Sequence, residues 1–168
     1  LASHDDVVAE VGHVPIESRR IGHDAERIGV NFEFPVDMFK DHAAAGGVGS
    51  IAVQLARHAG ARVIGTASER NHDYLRSLGA TPVTYGDDLV SQVKDLAPDG
   101  VDVILDFVGG AAIDTAPALL AHGGTITSIT DARARTELGG HYVWVRPDSA
   151  QLGELAQLVV DGIVRFGI

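Results

Sequence analysis

Residues 43–56 read Ala43-Ala44-Ala45-Gly46-Gly47-Val48-Gly49-Ser50-Ile51-Ala52-Val53-Gln54-Leu55-Ala56, a glycine-rich turn that runs directly into an apolar segment. The apolar residues recur at the spacing of one helical face: Val48, Ile51, Ala52 and Leu55. Because glycine has no Cβ, such a turn allows backbone N–H groups to approach a phosphate at a helix N-terminus. With Ala44 in place of the first glycine, the run fits a dinucleotide-binding fingerprint through Gly46 and Gly49. Glycine-rich turns before helices are common, so the motif alone leaves open a phosphate site and a plain tight turn.

The composition excludes several classes of function. Apolar residues make up 45% and charged residues 21% of 168, the profile of a globular domain. Thirteen Lys and Arg against 23 Asp and Glu leave a net charge of −10, which disfavours nucleic acid and anionic membranes as partners. The chain has no cysteine, so disulfides, thiolate catalysis and Cys-based zinc sites are excluded. No apolar run has the length of a membrane span, and Asp5 and Asp6 stand where a signal peptide would be basic, so we predict a cytoplasmic protein.

Strand and helix patterns alternate from Gly46 onward. Strands are predicted at 61–66, 81–85, 101–107, 125–129, 142–145 and 163–168. Between them, Ser68, Asp87 or Asp88, and Ser149 are candidate helix N-caps, and Gly123-Gly124 is a candidate helix stop. This alternation over short connections predicts an α/β fold with a doubly wound parallel sheet of the Rossmann type. We place a single dinucleotide-binding domain at 43–168.

Residues 1–42 form an irregular leader with no sustained period. Its histidines lack the spacing of a metal site, so no metal is predicted. A phosphate-binding turn normally follows a buried apolar strand, but residues 36–42 carry three charges in Asp37, Lys40 and Asp41. Either this first strand is poor and half exposed, or the segment is not the expected partner in the sheet.

The end of the second predicted strand bears on the choice of nucleotide. An NAD site places an acidic residue there to accept from the ribose 2′-hydroxyl, whereas Ala67 occupies the position here. Ser68 and Arg70 follow, and a hydroxyl and a guanidinium suit a 2′-phosphate, which favours NADPH over NADH. Two alternatives stay open: Glu69 could bind a ribose hydroxyl, or Ser68 could cap a helix beside a solvated Arg70.

The stretch from His42 to Ala56 resembles the nucleotide-binding turn of zinc-independent medium-chain dehydrogenase/reductases of the quinone oxidoreductase type. Later landmarks agree in order and spacing: 63–68, Leu78-Gly79-Ala80, Tyr85, 102–110, Gly123-Gly124-Thr125-Ile126 and 145–148. The resemblance covers about residues 42–162. It implies an NADPH site formed by Ala45, Gly46, Gly47, Val48 and Gly49 at the pyrophosphate, Ser68, Arg70 and Tyr85 at the 2′-phosphate, Val108 and Gly109 at the ribose side, and Ile129 at the nicotinamide.

The same resemblance implies a reaction. In that family the protein positions NADPH for direct hydride transfer to a quinone or a polarised C=C, as in an enone, and no metal takes part. It also implies a homodimer that pairs through the cofactor domain. Family members are longer and have an N-terminal catalytic domain, which is not recognisable in residues 1–42, so we expect weak NADPH binding and little turnover.

Two other functions compete with this one. A short-chain dehydrogenase requires Tyr followed four residues later by Lys, and Leu78, Leu89 and Arg146 occupy those positions instead. A non-catalytic NAD(P)H-binding module, or an inactive fragment, is also compatible with the sequence, because no residue is identifiable from it as a catalytic acid, base or nucleophile. Asp106, at the end of a predicted buried strand, is the most tempting carboxylate, but a role in accepting hydrogen bonds is the simpler interpretation.

Overall fold

A six-stranded sheet forms the centre of the computed structural model, which describes residues 38–166. The strands are β1 (Met38–His42), β2 (Arg62–Thr66), β3 (Thr81–Val83), β4 (Val101–Asp106), β5 (Leu120–Ser128) and β6 (His141–Tyr142). All neighbouring pairs are parallel, in the order β3-β2-β1-β4-β5-β6. This order is that of the Rossmann fold, and it confirms the predicted fold class.

Helices connect the strands in the pattern that a parallel sheet requires. They are α1 (Gly47–His58), α2 (His72–Ser77), α3 (Leu89–Leu96), α4 (Ala111–Asp114), α5 (Ala116–Leu119), α6 (Arg133–Thr136) and α7 (Ser149–Val160), with a 3₁₀ turn at Glu69–Asn71. Among residues 38–166, no helix combines the length and apolarity needed to cross a membrane.

The central strand β1 is the segment that the sequence left in doubt. It pairs with β2 on one side and β4 on the other, and Lys40, Asp41 and His42 are all buried. The expectation of a half-exposed strand, or of a segment outside the sheet, was therefore wrong. The sheet also includes five residues that the sequence analysis placed in the leader; the rest of the leader, 1–37, lies outside the described residues.

Apolar side chains cover both faces of the sheet. One cluster includes Ile64, Ile104 and Ile126 with residues of α3 and α5, and the other joins Val53 and Ala56 of α1 to Val63, Leu75 and Val103. Side chains of successive strand residues point to opposite faces. Lys40, in register with Ile64 and Ile104, therefore enters the first cluster, and Asp41 faces the second.

Several boundaries differ from the predicted ones. β5 begins at Leu120 and continues through Gly123-Gly124, with a register shift against β4, so these glycines do not end a helix. The N-cap of α7 is Asp148, whose carboxylate accepts from the N–H groups of Ala150 and Gln151, and not Ser149. Asp88 precedes α3 without a side-chain cap bond. No strand forms at 163–166, and 167–168 lie outside the described residues.

Candidate functional site

The glycine-rich turn connects the end of β1 to α1 through a tight backbone path. The Gly46 N–H donates to the Ala43 carbonyl at 2.8 Å, and the Ala44 N–H donates to the Thr66 carbonyl of β2 at 3.2 Å. Ala43 adopts a left-handed conformation, with φ +70°. A Cβ on Gly49 would lie 2.3 Å from the Ala43 carbonyl oxygen, so only glycine permits the helix to pack this closely on the turn.

The N-terminus of α1 is open to a ligand. Its cap residue Gly46 has no side chain that could accept from the first N–H groups, and the first turn contains no acidic residue. The first N–H groups of a helix have no intrahelical acceptor and carry partial positive charge. Gly46, Gly47 and Val48 are exposed, and a Cβ on Gly47 would meet nothing within 4 Å. The turn therefore has both the donors and the space that an anionic group needs.

The ends of β2 and β3 lie side by side, because the Ala67 N–H donates to the Val83 carbonyl at 3.0 Å. Ser68 precedes the 3₁₀ turn but its side chain makes no cap bond, so capping does not account for this serine. Its hydroxyl instead accepts from the Asn71 side chain at 3.3 Å. Arg70 and Tyr85 are both exposed at this corner of the sheet.

Asp106, at the end of β4, organises the turn that follows it. Its carboxylate accepts from the N–H groups of Val108 at 3.1 Å and Gly109 at 2.9 Å, and from the Ser128 hydroxyl of β5 at 2.7 Å. Burial alone would raise the pKa of Asp106, but the contact with His42 and these hydrogen bonds hold it well below its usual range. The carboxylate is therefore ionised and fully engaged, as the simpler interpretation of the sequence expected.

Ser128 links the same carboxylate to the turn after β5. While its hydroxyl donates to Asp106, its oxygen accepts from the N–H groups of Thr130 at 3.1 Å and Asp131 at 2.9 Å. The Ile129 N–H donates to the Asp106 backbone carbonyl at 3.2 Å. The turns after β4 and β5 are thus joined by one hydrogen-bonded network.

A second contact joins these two turns further out. Arg133, at the start of α6, pairs with Asp131 on its own turn at 2.8 Å and with Asp114 of α4 at 2.7 Å. Hydrogen bonds from the Arg133 side chain lower the pKa of Asp131. Neither Asp131 nor Arg133 was among the predicted site residues.

Exposed apolar side chains follow the carboxyl ends of β1, β3, β4 and β5. They are Val48, Tyr85, Val108 and Ile129, with exposed fractions between 40% and 58%. Ligands of open α/β sheets bind beyond this edge, at the point where the strand order reverses. All predicted site residues lie on turns at this edge or in the first turn of α1: Ala45, Gly46, Gly47, Val48, Gly49, Ser68, Arg70, Tyr85, Val108, Gly109 and Ile129.

Beneath the first turn lies a buried group of charged side chains. The His42 Nδ1 lies 3.4 Å from the Asp106 Oδ1, and the His42 Nε2 contacts the Lys40 Nζ. Burial lowers the pKa of His42 and favours the neutral ring. Among the residues that the structure describes, none forms a hydrogen bond with either carboxylate oxygen of Asp41. Within the described part of the chain, no three His, Asp or Glu side chains are grouped as a metal site would require.

The sheet order and the uncapped glycine turn define a nucleotide-binding α/β domain of the Rossmann type. The sequence profile of the zinc-binding dehydrogenase family matches residues 47–144. The chain therefore belongs to this family, and the predicted kinship with medium-chain dehydrogenase/reductases is confirmed. Zinc independence stays a prediction.

Similar proteins include a synthase, a quinone oxidoreductase and an enoyl reductase. Mycoketide-CoA synthase of Mycobacterium tuberculosis is 37% identical over 148 residues, 74% of this chain and 3% of that protein. The Escherichia coli quinone oxidoreductase, solved with NADPH, is 25% identical with a TM-score of 0.65, over 82% of this chain and 50% of that one. The CurK enoyl reductase is 27% identical with a TM-score of 0.65, over 78% of this chain and 46% of that one. This chain thus spans half or less of each of these proteins.

Proposed function

We propose that the chain is the NADPH-binding domain of an oxidoreductase that transfers hydride to a quinone or an activated C=C without a metal. The observation that carries this proposal is the open N-terminus of α1, at the end of the central strand and without a capping side chain. The NADPH complex of the similar E. coli quinone oxidoreductase and the reductase activity of CurK support the choice of cofactor and reaction class.

The residues of the first turn fit a pyrophosphate. Ala45 to Gly49 would hold it through backbone N–H groups, since this segment combines exposed glycines with a helix N-terminus. Gly47 leaves the space in which the phosphate oxygens would lie, and Gly49 fixes the helix against the turn. The protein's net charge of −10 would oppose an anionic cofactor, so this local positive end is required.

The two ends of the cofactor would contact different turns. Ser68, Arg70 and Tyr85 would surround the 2′-phosphate, because they combine a hydroxyl, a guanidinium and an aromatic ring at one exposed corner. Val108, Gly109 and Ile129 would lie along the ribose and nicotinamide side, where the exposed apolar side chains of Val108 and Ile129 suit a ring that is partly removed from water. When bound, NADPH supplies the hydride.

The chain's own contribution to the reaction is positioning. Asp106 is buried and occupied by hydrogen bonds, and its low pKa keeps it ionised, so it does not donate a proton. Its role is to orient the Val108 and Gly109 backbone. The proton that completes reduction of a C=C or quinone would come from solvent or from a residue outside the described part of the chain.

Because Asp106 is occupied by hydrogen bonds and is not free for proton transfer, a second function is also favoured, NAD(P)H binding without turnover. The two functions differ in a simple assay, in which purified chain and NADPH are mixed with a small quinone or an enone and the loss of NADPH absorbance is followed. Turnover supports the oxidoreductase. Binding without turnover of either substrate supports the binding module or an inactive fragment.

Gly47→Asp provides the sharpest test of the cofactor site. The new carboxylate would occupy open space and face the helix N-terminus, so we expect the thermal midpoint to hold or rise, since such a charge is worth about 0.3–1 kcal/mol. NADPH affinity should fall by about tenfold or more, because the carboxylate repels the pyrophosphate at close range. Titration followed by NADPH fluorescence measures the affinity, and a thermal melt measures the stability.

A matched control is Gly153→Asp, at an exposed glycine of α7 whose added Cβ would also meet nothing within 4 Å. It should leave NADPH affinity unchanged. Equal affinity of the Gly47→Asp variant and the wild type would contradict a pyrophosphate site at this turn. Equal binding of NADPH and NADH would contradict the assignment of Ser68 and Arg70 to a 2′-phosphate.

We also propose that the partner is a small molecule and not nucleic acid or membrane, in keeping with the net charge of −10. Location in the cytoplasm and pairing as a homodimer stay proposals. Co-purification of an untagged copy with a tagged copy after mixing tests the second.

A further inference from the structure

The geometry points to Arg133 as a positioning residue that fixes the two turns facing the nicotinamide end of the cofactor, an inference that rests on the proposed function. Arg133 contacts both turns through hydrogen bonds and ion pairs. It connects the turn after β4 to the turn after β5 through its whole guanidinium, and so holds Val108 and Ile129 in one arrangement before a ligand arrives.

Each nitrogen of the Arg133 guanidinium has an acceptor. Its Nε donates to the Asp131 Oδ1 and Oδ2 at 3.2 and 3.1 Å. Its Nη2 donates to the Asp131 Oδ2 at 2.8 Å and to the Gly110 carbonyl at 3.0 Å, and its Nη1 donates to the Asp114 Oδ1 at 2.7 Å. The planar fork of arginine makes this set of bonds, and the single ammonium of lysine cannot reproduce it.

Gly110 is held from both sides as a result. Its carbonyl accepts from Arg133, and its N–H donates to the Asp131 Oδ2 at 3.2 Å. The neighbouring Gly109 has φ +73°, and a Cβ on it would lie 3.2 Å from both the Asp131 Cβ and the Thr130 Oγ1. The two turns are therefore in direct contact, and the Asp131–Arg133 pair closes the contact on its exposed side.

The side chains that these turns present are not fixed by packing. Val108 is 55% exposed and Ile129 is 40% exposed, so the hydrogen bonds of the turns determine where they lie. Asp106 and Ser128 secure the inner part of the network, and Arg133 secures the outer part. A ligand that contacts both turns binds more tightly when their bound arrangement already dominates, because affinity scales with the populated fraction of the competent state.

Arg133→Ala tests this role through two ligands that reach different parts of the site. NADPH extends to both turns, whereas 2′,5′-ADP carries only the adenosine and 2′-phosphate end. We expect the variant to bind NADPH about fivefold more weakly, as it would if the competent arrangement fell to about a fifth of the population. The affinity for 2′,5′-ADP should change less than about twofold. Calorimetric titration of the 168-residue chain measures both.

Arg135→Ala is the matched control, because Arg135 is an exposed arginine on the same short helix, and its side chain makes no hydrogen bond or ion pair with residues 38–166. It should bind both ligands as the wild type does. Arg133→Lys keeps the charge but not the fork, and it should resemble Arg133→Ala with NADPH. Amide hydrogen exchange of the ligand-free chain should also accelerate around residues 108–110 in both Arg133 variants and not in β2.

The outcomes separate this inference from the proposed function. Wild-type chain that bound neither ligand would overturn both. Normal wild-type binding with an unchanged NADPH affinity in Arg133→Ala, or with equal losses for NADPH and 2′,5′-ADP, would overturn the positioning role alone. Full NADPH affinity in Arg133→Lys would show that charge suffices and would overturn the argument from the fork.

If Arg133→Ala fails to fold, Asp114→Ala takes its place. The Asp114 side chain is 61% exposed and supplies only one of the Arg133 acceptors. Its removal should leave the fold intact and weaken NADPH about twofold, with 2′,5′-ADP unchanged, since exposed pairs contribute little. An unchanged ratio of the two affinities in this variant would count against the inference.

Discussion

The strands β1 and β4 lie side by side at the centre of one sheet and have opposite chemistry. Lys40 is in register with Ile104, Asp41 with Leu105, and His42 with Asp106. β4 is apolar up to its last residue except for Asp102, whereas three consecutive charged or titratable side chains of β1 are buried. A strand's place in a sheet is therefore determined by its neighbours as well as by its own side chains.

The neighbours account for β1 in physical terms. The strand has parallel partners on both sides, and the glycine turn that follows it packs α1 against the same edge. Burial lowers the pKa of Lys40 to about 7 and raises the pKa of Asp41 well above its ordinary value. Both shifts favour the neutral forms, so the cost of this strand is the energy of neutralising and desolvating its side chains.

The largest effect is expected from placing the chemistry of β1 into β4. Ile104→Lys would bury another lysine side chain next to Lys40, at a position with 0% exposure. We expect the free energy of unfolding to fall by about 4 kcal/mol or more, because the new charge has no partner and the apolar contacts are lost. Urea unfolding followed by circular dichroism measures the change.

Leu96→Lys serves as the control for this substitution, since Leu96 is at the exposed C-terminal end of α3. Its effect should stay within about 0.5 kcal/mol. If Ile104→Lys were tolerated as well as the control, the centre of this sheet would accept charge in general, and the contrast between the two strands would have no energetic meaning.

The opposite exchange should stabilise the chain. Lys40→Ile combined with Asp41→Val gives β1 an apolar pattern, with isoleucine at 40 matching its partners Ile64 and Ile104. We expect a gain of about 3 kcal/mol, within the range measured when buried charged groups are replaced by apolar ones. The same urea experiment applies, with Asp73→Val as control because the Asp73 side chain is 99% exposed.

A loss of stability in the double variant would contradict this view. It would mean that Lys40 and Asp41 make contacts in the folded chain that outweigh their desolvation. The contact between the Lys40 Nζ and the His42 Nε2 is the one to examine then, and Asp41→Val alone would separate the two positions.

The sequence predicted most of the fold correctly because periodicity reports burial. The strands at 62–66 and 101–106 and helices α1, α3 and α7 lie where the apolar spacing placed them. β1 was left in doubt because Lys40, Asp41 and His42 leave only two apolar residues in this five-residue strand, too few for a local apolar pattern. β5 was placed too late, since glycine signals a stop in a sequence, and here Gly123 and Gly124 lie inside a strand at a register shift.

The candidate site was predictable only in part. The glycine turn is a local motif, and most of its close contacts lie within residues 43–50, with the Ala44–Thr66 hydrogen bond as an exception. Arg133 was missed because its partners Asp114 and Gly110 lie 19 and 23 residues away, and no local pattern connects them. The strand predicted at 125–129 ends two residues before Asp131, and that position was the only local signal pointing to Asp131.

The last comparison changes the pH, with the smallest effect at each step, and tests whether β1 is neutral. The pKa of Lys40 falls from 10.5 to about 7 on folding, so between these values the unfolded chain binds more protons, and stability should rise with pH. Compared with Lys40→Ile, the wild type should gain stability across this window, with a limiting slope of about 1.4 kcal/mol per pH unit. Asp41, His42 and Asp106 surround position 40 in both proteins, so their titration largely cancels in the difference. Urea midpoints at several pH values measure it, and parallel curves would show that Lys40 keeps an ordinary pKa and that β1 carries its charge into the core.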